Sequence, residues 1–393
     1  MNTPLNLAGA REVATEHGGH VTSRNSGQAQ NRWKAWQLSP RDDHRYVIIG
    51  AGAIGGTVGA VLTRAGIPTV LVARGRHAEV LAAVGMTLRT PDGAFRTAVT
   101  TASRAEQVRL TQRDVLVFAT KTQQLDAALQ EWVDQPVFRP DGPQDLVGTA
   151  GERLPAMTAL NGVAAEEKAL RYFRRVFGVC VWLPAVHLEP GEVIVRSWPV
   201  AGQFHIARWP ASISTHADAD LLAGLGETWG VAGIRVRTPD DVAPWKYNKL
   251  LSNLGNAVGA LSAEGANISE VVAAVRSEGE NVLRHAGIEF VSFETSTVAR
   301  ADGPTIRPVP GWNAGPSNST WQSLSRNTGN VETDFLNGEI VRLAHRHGIT
   351  APLNTALARA ARAAVRNGLG PSRCSAAQLA ELLGINAIGA AQD

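Results

Sequence analysis

A run of polar side chains on one predicted helix is the part of this sequence best suited to acid–base chemistry. Lys249, Asn253 and Asn256 are spaced by four and three residues, which places them on one helical face. An ammonium group beside amides can stabilise a developing alkoxide and supply its proton. The same spacing also occurs on the solvent-facing side of an amphipathic helix. The face is therefore a candidate catalytic surface, with a solvated stripe as the alternative.

A glycine-rich turn forms a second candidate site. The stretch Gly50-Ala51-Gly52-Ala53-Ile54-Gly55 follows the apolar run 46–49 and precedes a helix of small residues, and Thr69–Val72 is a second apolar run. The three glycines permit a tight turn, close approach of a pyrophosphate and close packing of helix on strand. The amides and positive dipole end of the helix suit phosphate groups. We infer that residues 50–55 bind a dinucleotide.

The residues after the second apolar run indicate which dinucleotide. NAD enzymes usually place an acid there for the ribose 2′-hydroxyl, but residues 65–78 contain no acid. Arg74 and Arg76 occur instead, and a guanidinium group suits a 2′-phosphate. The sequence therefore predicts NADPH/NADP+ as the cofactor with Arg74 as a ligand; an ordinary surface arginine is the alternative.

Five motifs occur in the order found in ketopantoate reductases, and the sequence resembles that family over about residues 45–365. They are Gly50–Gly56, Lys121 with Gln123 or Gln124, Asn161-Gly162, Lys249–Asn253 and Val331–Gly338. The last is the most specific, because it is similar to the family's Thr-Glu-Ile-Asp-Tyr-x-Asn-Gly helix and His347-Gly348 follows as in the family. The resemblance implies a Rossmann domain followed by a helical domain of the 6-phosphogluconate dehydrogenase C-terminal type.

The resemblance also implies a reaction and residue roles. NADPH would reduce the C2 carbonyl of 2-dehydropantoate (ketopantoate) to pantoate, a step of pantothenate biosynthesis, with Lys249 as general acid. The remaining implied roles are Glu332 binding the substrate hydroxyl and supporting the lysine, Asn253 and Asn161 orienting substrate and nicotinamide, Ser319 binding the carboxylate, and Lys121 contacting the cofactor near its second phosphate or ribose.

Departures from the family pattern lie around the substrate. Where many members have a second asparagine, this chain has Ala257 with Asn256 one position earlier, so Asn256 is also a substrate-binding candidate. The serine-containing segment reads Ser317-Asn318-Ser319-Thr320-Trp321-Gln322-Ser323 instead of Ser-Ser-Met-x-Gln-Asp, and one extra residue precedes Glu332. Trp312 and Pro310 lie in the loop before it. These changes favour a different, larger keto acid as an alternative substrate.

Three functions therefore stay open. The first is reduction of ketopantoate itself, and the second is the same reaction on another 2-keto or β-keto acid. The third is a non-catalytic NADPH-binding regulator, which the presence of both Lys249 and Glu332 disfavours.

The elements that position these residues indicate an α/β fold. Apolar runs predict strands at 46–49, 69–72, 115–119, 157–160 and 179–183, and the stretch Val186–Ala207 predicts an antiparallel hairpin around Pro190-Gly191. After about residue 238, helices are predicted at Pro244–Leu261, Ile268–His285, Val331–His347 and Leu353–Arg366. We predict a disordered arm at 1–44, an NADP-binding Rossmann domain at 45–238 and a helical substrate domain at 239–393.

Composition limits the other partners. Apolar residues make up 44% and charged residues 19% of the 393 residues, as in globular proteins. The net charge of +3 comes from scattered residues, so we expect no nucleic acid partner. No apolar run is long enough to span a bilayer, the two cysteines fit a cytoplasmic location, and no histidine pattern indicates a metal. The expected partner is a small keto acid, and a monomer and a homodimer both stay open.

Overall fold

The computed structural model describes residues 43–142, 144–312, 318–326 and 331–385. Nearly all of the predicted arm at 1–44 lies outside the described residues, as does Ser317. Strands and helices alternate up to Arg237, and the elements described after that residue are helices. The α/β class with a helical C-terminal part is therefore confirmed.

The strands are short, and most are buried. In chain order they are β1 (Arg45–Ile49), β2 (Thr69–Val72), β3 (Met86–Thr90), β4 (Gly93–Thr97), β5 (Thr100–Ala102), β6 (Leu110–Thr111), β7 (Asp114–Phe118), β8 (Pro136–Phe138), β9 (Leu146–Thr149), β10 (Pro155–Thr158), β11 (Arg175–Trp182), β12 (Ala185–Val186), β13 (Glu192–Val195), β14 (Gly202–Trp209) and β15 (Ile234–Arg237).

The helices divide into those that cover the sheet and those that form the C-terminal domain. The first group is α1 (Ala53–Arg64), α2 (Gly75–Val84), α3 (Leu125–Val133), α4 (Ala150–Arg153), α5 (Ala165–Ala169) and α6 (His216–Val231). The second is α7 (Ala243–Asn253), α8 (Gly255–Leu261), α9 (Ser269–His285), α10 (Phe293–Val298), α11 (Ser319–Ser325), α12 (Asn337–Arg346), α13 (Pro352–Arg366) and α14 (Ala376–Leu383). Short 3₁₀ helices lie at Ala105–Gln107, Thr122–Gln124, Ala211–Ile213 and Glu332–Phe335.

The largest sheet in the described residues has eight strands in the order β15-β14-β11-β10-β7-β1-β2-β5. The strands from β5 to β11 are parallel to their neighbours, and β14 pairs antiparallel with β11. The order from β5 to β11 is that of a doubly wound fold, and it reverses between β1 and β7. The loops after β1 and β7 therefore border the crevice where such folds bind ligands.

The sheet is buried because its strands are apolar on both faces. Tyr46 and Ile48 of β1 pack into the core that contains α1, whereas Val47 and Ile49 pack with α3 on the other side. This alternation is the period-2 pattern of a strand covered by helices on both faces. Two helix layers thus fix the position of the turn that follows β1.

A separate apolar core holds the C-terminal helices together. It includes Leu250 and Leu254 near the end of α7, Val275 of α9, Ile340 of α12 and Leu357 of α13. The last strand ends at Arg237 and α7 begins at Ala243, and the proposed domain boundary near 238 stays a prediction. Within the described part of the chain, no helix combines the length and apolarity needed to cross a bilayer.

Three sequence-based expectations about elements are wrong. The predicted helix Val331–His347 is divided into the 3₁₀ helix Glu332–Phe335 and α12. The predicted hairpin Val186–Ala207 is formed only locally: β12 pairs antiparallel with β13, but β13 then joins β3 in a second sheet while β14 joins the main sheet. The predicted continuous helix Pro244–Leu261 is broken at Leu254 into α7 and α8. The turn signal at Pro190-Gly191 identified the reversal, but tertiary packing decides which sheet each arm joins.

Candidate active site

One cavity of about 680 Å³ lies at the crevice between the sheet edge and the C-terminal helices. Most of the residues predicted from the sequence line it, namely Gly50, Gly52, Ala53, Ile54, Lys121, Asn161, Lys249, Asn253, Asn256, Ser319 and Glu332. Ala51, Gly55 and Arg74 were also predicted but are not among the lining residues. The fold therefore brings the two candidate sites of the sequence into one space.

The glycines of the turn after β1 have the geometry that their predicted roles require. Gly50 has a φ of +102°, and a Cβ there would lie 3.0 Å from the backbone of Ala119. A Cβ on Gly55 would lie 2.1 Å from the Gly50 carbonyl oxygen, so only glycine allows α1 to pack this closely. A Cβ on Gly52 would meet no protein atom within 4 Å, and this space is open to the cavity. The turn leaves room for a group that approaches the backbone.

The N-terminus of α1 is suited to bind phosphate. Its N-cap is Gly52, no side chain caps it, and its first turn contains no acid. The amide groups at the start of a helix are unpaired within the helix, and the dipole is positive there. Gly52, Ala53 and Ile54 line the cavity at this end. These residues fit the pyrophosphate of a dinucleotide.

His77 supports the turn from behind, and its role was missed in the sequence. The Gly191 amide donates to its Nδ1 at 2.9 Å, so Nε2 carries the proton and donates to the Ala51 carbonyl at 2.8 Å. Burial lowers the pKa of His77, which keeps the ring neutral. His187 lies 4.6 Å away, ring centre to ring centre, and burial lowers its pKa to about 4. The described residues contain no group of three or more metal-ligating side chains.

Arg74 lies at the position expected for a 2′-phosphate ligand but is engaged elsewhere in this structure. It is the N-cap of α2 just after β2, its side chain is 68% exposed, and it forms an ion pair with Glu131 of α3. Arg76 lies 3.7 Å from Glu79 and is also exposed. A surface ion pair contributes only about 0–1 kcal/mol, so a phosphate can displace Glu131 at little cost.

Glu332 has a different partner from the one expected. The resemblance implies that it supports Lys249, but its carboxylate accepts hydrogen bonds from Lys121 Nζ at 2.7 Å and from the Thr122 amide and hydroxyl at 3.2 Å each. The Glu332 side chain is 5% exposed, on the short 3₁₀ helix before α12. The pair joins the loop after β7 to the C-terminal domain. Both residues line the cavity, so Lys121 lies at the crevice.

Lys249 is held without a carboxylate partner. Its Nζ lies 3.7 Å from the ring centre of Trp182, and in the described residues it makes no hydrogen bond or ion pair. Burial lowers the pKa of Lys249 to about 8; the nearby Arg300 guanidinium lowers it further, whereas Cys180 opposes this effect. A lysine with this pKa exchanges its proton near neutral pH, which suits a general acid.

Asparagine and serine side chains surround the lysine on the cavity wall. Asn253 donates to the Asn161 side-chain oxygen at 3.3 Å, which joins α7 to the loop after β10. Asn256 donates to the Ser319 hydroxyl at 3.5 Å. The predicted common face of Lys249, Asn253 and Asn256 therefore survives the break at Leu254. Ala257 is buried away from the cavity, so Asn256 supplies the second amide on this wall.

The cavity also contains basic residues that sequence reasoning missed. Arg196, at the end of β13, and Arg326, just after α11, line it together with His187 and Gln322. Arg326 is half-buried, its Nε donates to the Gln322 carbonyl at 3.3 Å, and burial lowers its pKa. Arg326 follows Ser319 by seven residues, and this helical spacing was a readable signal.

A buried ion pair one helical turn before Lys249 fixes α7 to the sheet. Lys246 and Glu166 are bonded directly, and their side chains are 2% and 0% exposed. Lys246 Nζ also lies 3.4 Å from the Leu160 carbonyl, and Thr158 donates to Glu166 at 2.6 Å. Neither charged residue lines the cavity, so we assign the pair a structural role.

Two family models match this chain. "Ketopantoate reductase PanE/ApbA" matches residues 46–211 and "Ketopantoate reductase PanE/ApbA C terminal" matches residues 241–365. Together they cover the sheet up to β14, the residues that line the cavity and the C-terminal helices from α7 to α13.

Curated relatives and solved structures agree with these matches. A 2-dehydropantoate 2-reductase of Pyrococcus horikoshii is 25% identical over 78% of this chain and 93% of its own length, and one from Caulobacter vibrioides is 28% identical over 78% and 94%. The fold is similar to a PanE/ApbA family ketopantoate reductase of Ralstonia eutropha, with TM-score 0.62 and 24% identity over 83% and 99% of the two chains. It is also similar to a D-mandelate dehydrogenase, with TM-score 0.65 and 18% identity over 82% and 99%. The chain therefore belongs to the ketopantoate reductase PanE/ApbA family.

Proposed function

We propose that this protein reduces 2-dehydropantoate to pantoate with NADPH, using Lys249 as the general acid. The observation that carries the proposal is that an uncapped helix N-terminus without acidic residues and a buried lysine of lowered pKa line the same cavity. Family membership makes the chain an oxidoreductase, and curated relatives at 23–28% identity are named 2-dehydropantoate 2-reductase. A cytoplasmic location stays a prediction.

Each side chain has a defined task in this proposal. When bound, NADPH supplies the hydride for the C2 carbonyl carbon. Lys249 gives its proton to the carbonyl oxygen as that oxygen becomes an alkoxide, and solvent returns a proton to the lysine. Asn253 and Asn161 orient the substrate and nicotinamide through their amides, and Asn256 and Ser319 hold the carboxylate.

Lys121 and Glu332 supply a further part of the cavity wall in this proposal. Glu332 retains carboxylate oxygens that can accept a substrate hydroxyl while Lys121 and Thr122 hold it. Lys121 also offers further N–H groups to a ribose or phosphate of the cofactor. Glu332 therefore acts by binding substrate, and its contact with Lys121 keeps it in place.

The reaction is tested by following NADPH absorbance with 2-dehydropantoate and a panel of other 2-keto acids. Turnover of 2-dehydropantoate that disappears in Lys249→Met supports the proposal, since a contaminating enzyme would be unaffected. Turnover of a different keto acid alone contradicts the namesake substrate. A reference ketopantoate reductase, active on 2-dehydropantoate from the same preparation, serves as the positive control. NADPH binding without turnover of any acid in the panel contradicts the proposed reaction and favours a non-catalytic regulator.

A second candidate is the same reaction on a keto acid that carries an additional polar or anionic group. Arg196 and Arg326 favour it, because they place two guanidinium groups on the cavity wall beyond the residues already assigned. An anionic substituent would lie well beside a half-buried guanidinium. The keto-acid panel should therefore include dicarboxylates.

Arg74 should determine the preference for NADPH over NADH. In Arg74→Ser we expect the KM for NADPH to rise about tenfold, because one charge-assisted contact with the 2′-phosphate is lost. The KM for NADH should be unchanged, because NADH has no 2′-phosphate. Glu131→Gln should lower the KM for NADPH about two- to fivefold, because it releases Arg74 from a surface ion pair. Steady-state kinetics with both cofactors measures each effect.

Arg76→Ser is the matched control for Arg74→Ser, since Arg76 lies two residues further on, in the first turn of α2, and has an exposed acidic partner. We expect it to leave both KM values unchanged. Loss of NADPH preference in Arg76→Ser but not in Arg74→Ser would show that the assignment of Arg74 is wrong.

A further inference from the structure

The indole ring of Trp182 contacts two cations. Lys249 Nζ lies 3.7 Å from the ring centre, and the Arg300 guanidinium carbon lies 3.9 Å from it. Trp182 is the last residue of β11, at the sheet edge that borders the crevice, and Arg300 lies in the turn after α10. Three separate elements therefore meet at this ring.

The ring and the guanidinium group are both fixed by their surroundings. Trp182 packs with Trp209 and Trp245 around a small buried apolar cluster. Arg300 Nε donates to the Ser296 carbonyl at 3.0 Å, and Gln203 of β14 donates to the neighbouring Ala299 carbonyl at 2.9 Å. Contacts that do not involve Lys249 therefore hold Trp182 at the end of β11 and Arg300 in the turn after α10.

The asparagine and serine side chains beside Lys249 on the cavity wall carry no charge, so the charged groups near it decide its electrostatics. The Cys180 thiol is neutral, because burial raises its pKa to about 11. Lys246 and Glu166 neutralise each other in one ion pair, and Lys121 and Glu332 do so in another. The Lys249 ammonium therefore lies beside one aromatic face and one guanidinium group that has no carboxylate partner among the described residues.

Trp182 and Arg300 act on the ammonium with opposite signs. The negative face of an indole attracts a cation and so stabilises the protonated lysine. A second cation nearby repels it and favours loss of the proton. We propose that Trp182 and Arg300 are positioning residues for Lys249: the ring holds the ammonium at the cavity wall, and Arg300 makes its proton easier to transfer. This inference rests on the proposed role of Lys249 as general acid.

The proposal predicts opposite changes in the titration of one lysine. The chain has five lysines, so selective ¹³Cε-lysine labelling resolves Lys249 by NMR, with its signal assigned by its absence in Lys249→Met. In Trp182→Leu the midpoint should fall by about one pH unit, because the attraction of the ring is lost. In Arg300→Gln the midpoint should rise by a similar amount, because the repulsion is lost.

Kinetics gives an independent readout. Trp182→Leu should lower kcat for the reduction about five- to tenfold with little change in KM, because the lysine is no longer held, and Trp182→Phe should restore most of kcat by supplying another aromatic face. Arg300→Gln should move the alkaline limb of the pH–rate profile to higher pH, since Lys249 keeps its proton longer.

The outcomes separate this inference from the proposed function. Opposite shifts of the Lys249 midpoint support the inference even where a tested keto acid gives no turnover, which would count against the substrate alone. Unchanged midpoints in both variants, or shifts in the same direction, overturn the inference whatever the turnover. Loss of kcat in Trp182→Leu without recovery in Trp182→Phe also overturns it, because ordinary misfolding would then explain the loss.

Discussion

Replacing Lys249 by methionine is expected to lower kcat/KM for keto-acid reduction about 10²- to 10⁴-fold, the usual contribution of a positioned general acid. Methionine keeps the length and apolar contacts of the side chain but removes the ammonium that lies on Trp182. The dissociation constant for NADPH should stay within about twofold, because Lys249 is assigned to the substrate carbonyl and the glycine turn at the start of α1 is unaltered. Stopped-flow or steady-state absorbance with a fluorescence titration of NADPH measures both quantities.

The rate of reduction should fall as the pH rises, because Lys249 loses its proton. The reduction needs the protonated lysine, and burial lowers the pKa of Lys249 to about 8. Reduction by the wild type should therefore be level below about pH 7, half-maximal near pH 8, and fall about tenfold for each pH unit above about pH 9. A lysine with its usual pKa would keep nearly full activity to about pH 9.

Lys168→Met is a matched control for Lys249→Met. Lys168 is one of the four other lysines in the chain. It forms an ion pair with Asp126 of α3 and does not line the cavity. Its replacement should leave kcat/KM and the pH profile unchanged. A Lys249→Met enzyme within tenfold of the wild type, or an alkaline limb that persists in that variant, would mean that another group supplies the proton.

Removing one member of the buried Lys246–Glu166 pair is expected to lower the free energy of unfolding by about 3–5 kcal/mol. In Lys246→Met the Glu166 carboxylate stays fully buried, and Thr158 becomes its only remaining hydrogen-bond donor within the described residues. Denaturant titrations of wild type and variant measure the difference.

The double variant Lys246→Met/Glu166→Leu is the control for that loss. It removes both charges and fills their space with apolar atoms, so most of the lost stability should return. Equal destabilisation in the single and double variants would show that packing, and not an unpaired charge, accounts for the effect.

The parts of the site that depend on local chain geometry could be predicted from the sequence. The glycine turn follows from backbone constraints at Gly50 and Gly55, and the face of Lys249 and Asn253 follows from helical spacing. The strand Thr69–Val72 has the predicted bounds because it is short, apolar and bounded by turn residues. Helix α6 was missed, although Thr215 and Asp218 form a capping box at its start.

Long-range pairings could not be predicted in this way. Lys121 and Glu332 are 211 positions apart, and nothing local to either residue identifies the other as its partner. The same holds for Arg300 and Trp182, which meet only because the turn after α10 is bonded to β14. Patterns with periods of 2 or 3.6 describe single elements, whereas these contacts depend on how whole layers pack.

The Lys121–Glu332 pair limits how freely the two halves of such an enzyme can be recombined. Lys121 and Thr122 come from the loop after β7, and the carboxylate they hold comes from the C-terminal domain. In a chimera whose helical half comes from a distant homologue, the carboxylate at position 332 comes from a protein with a different loop after β7. A functional chimera of the two halves therefore requires residues 121, 122 and 332 to come from the same parent protein. Substrate preference changes more readily at cavity residues that make no contact between the two halves.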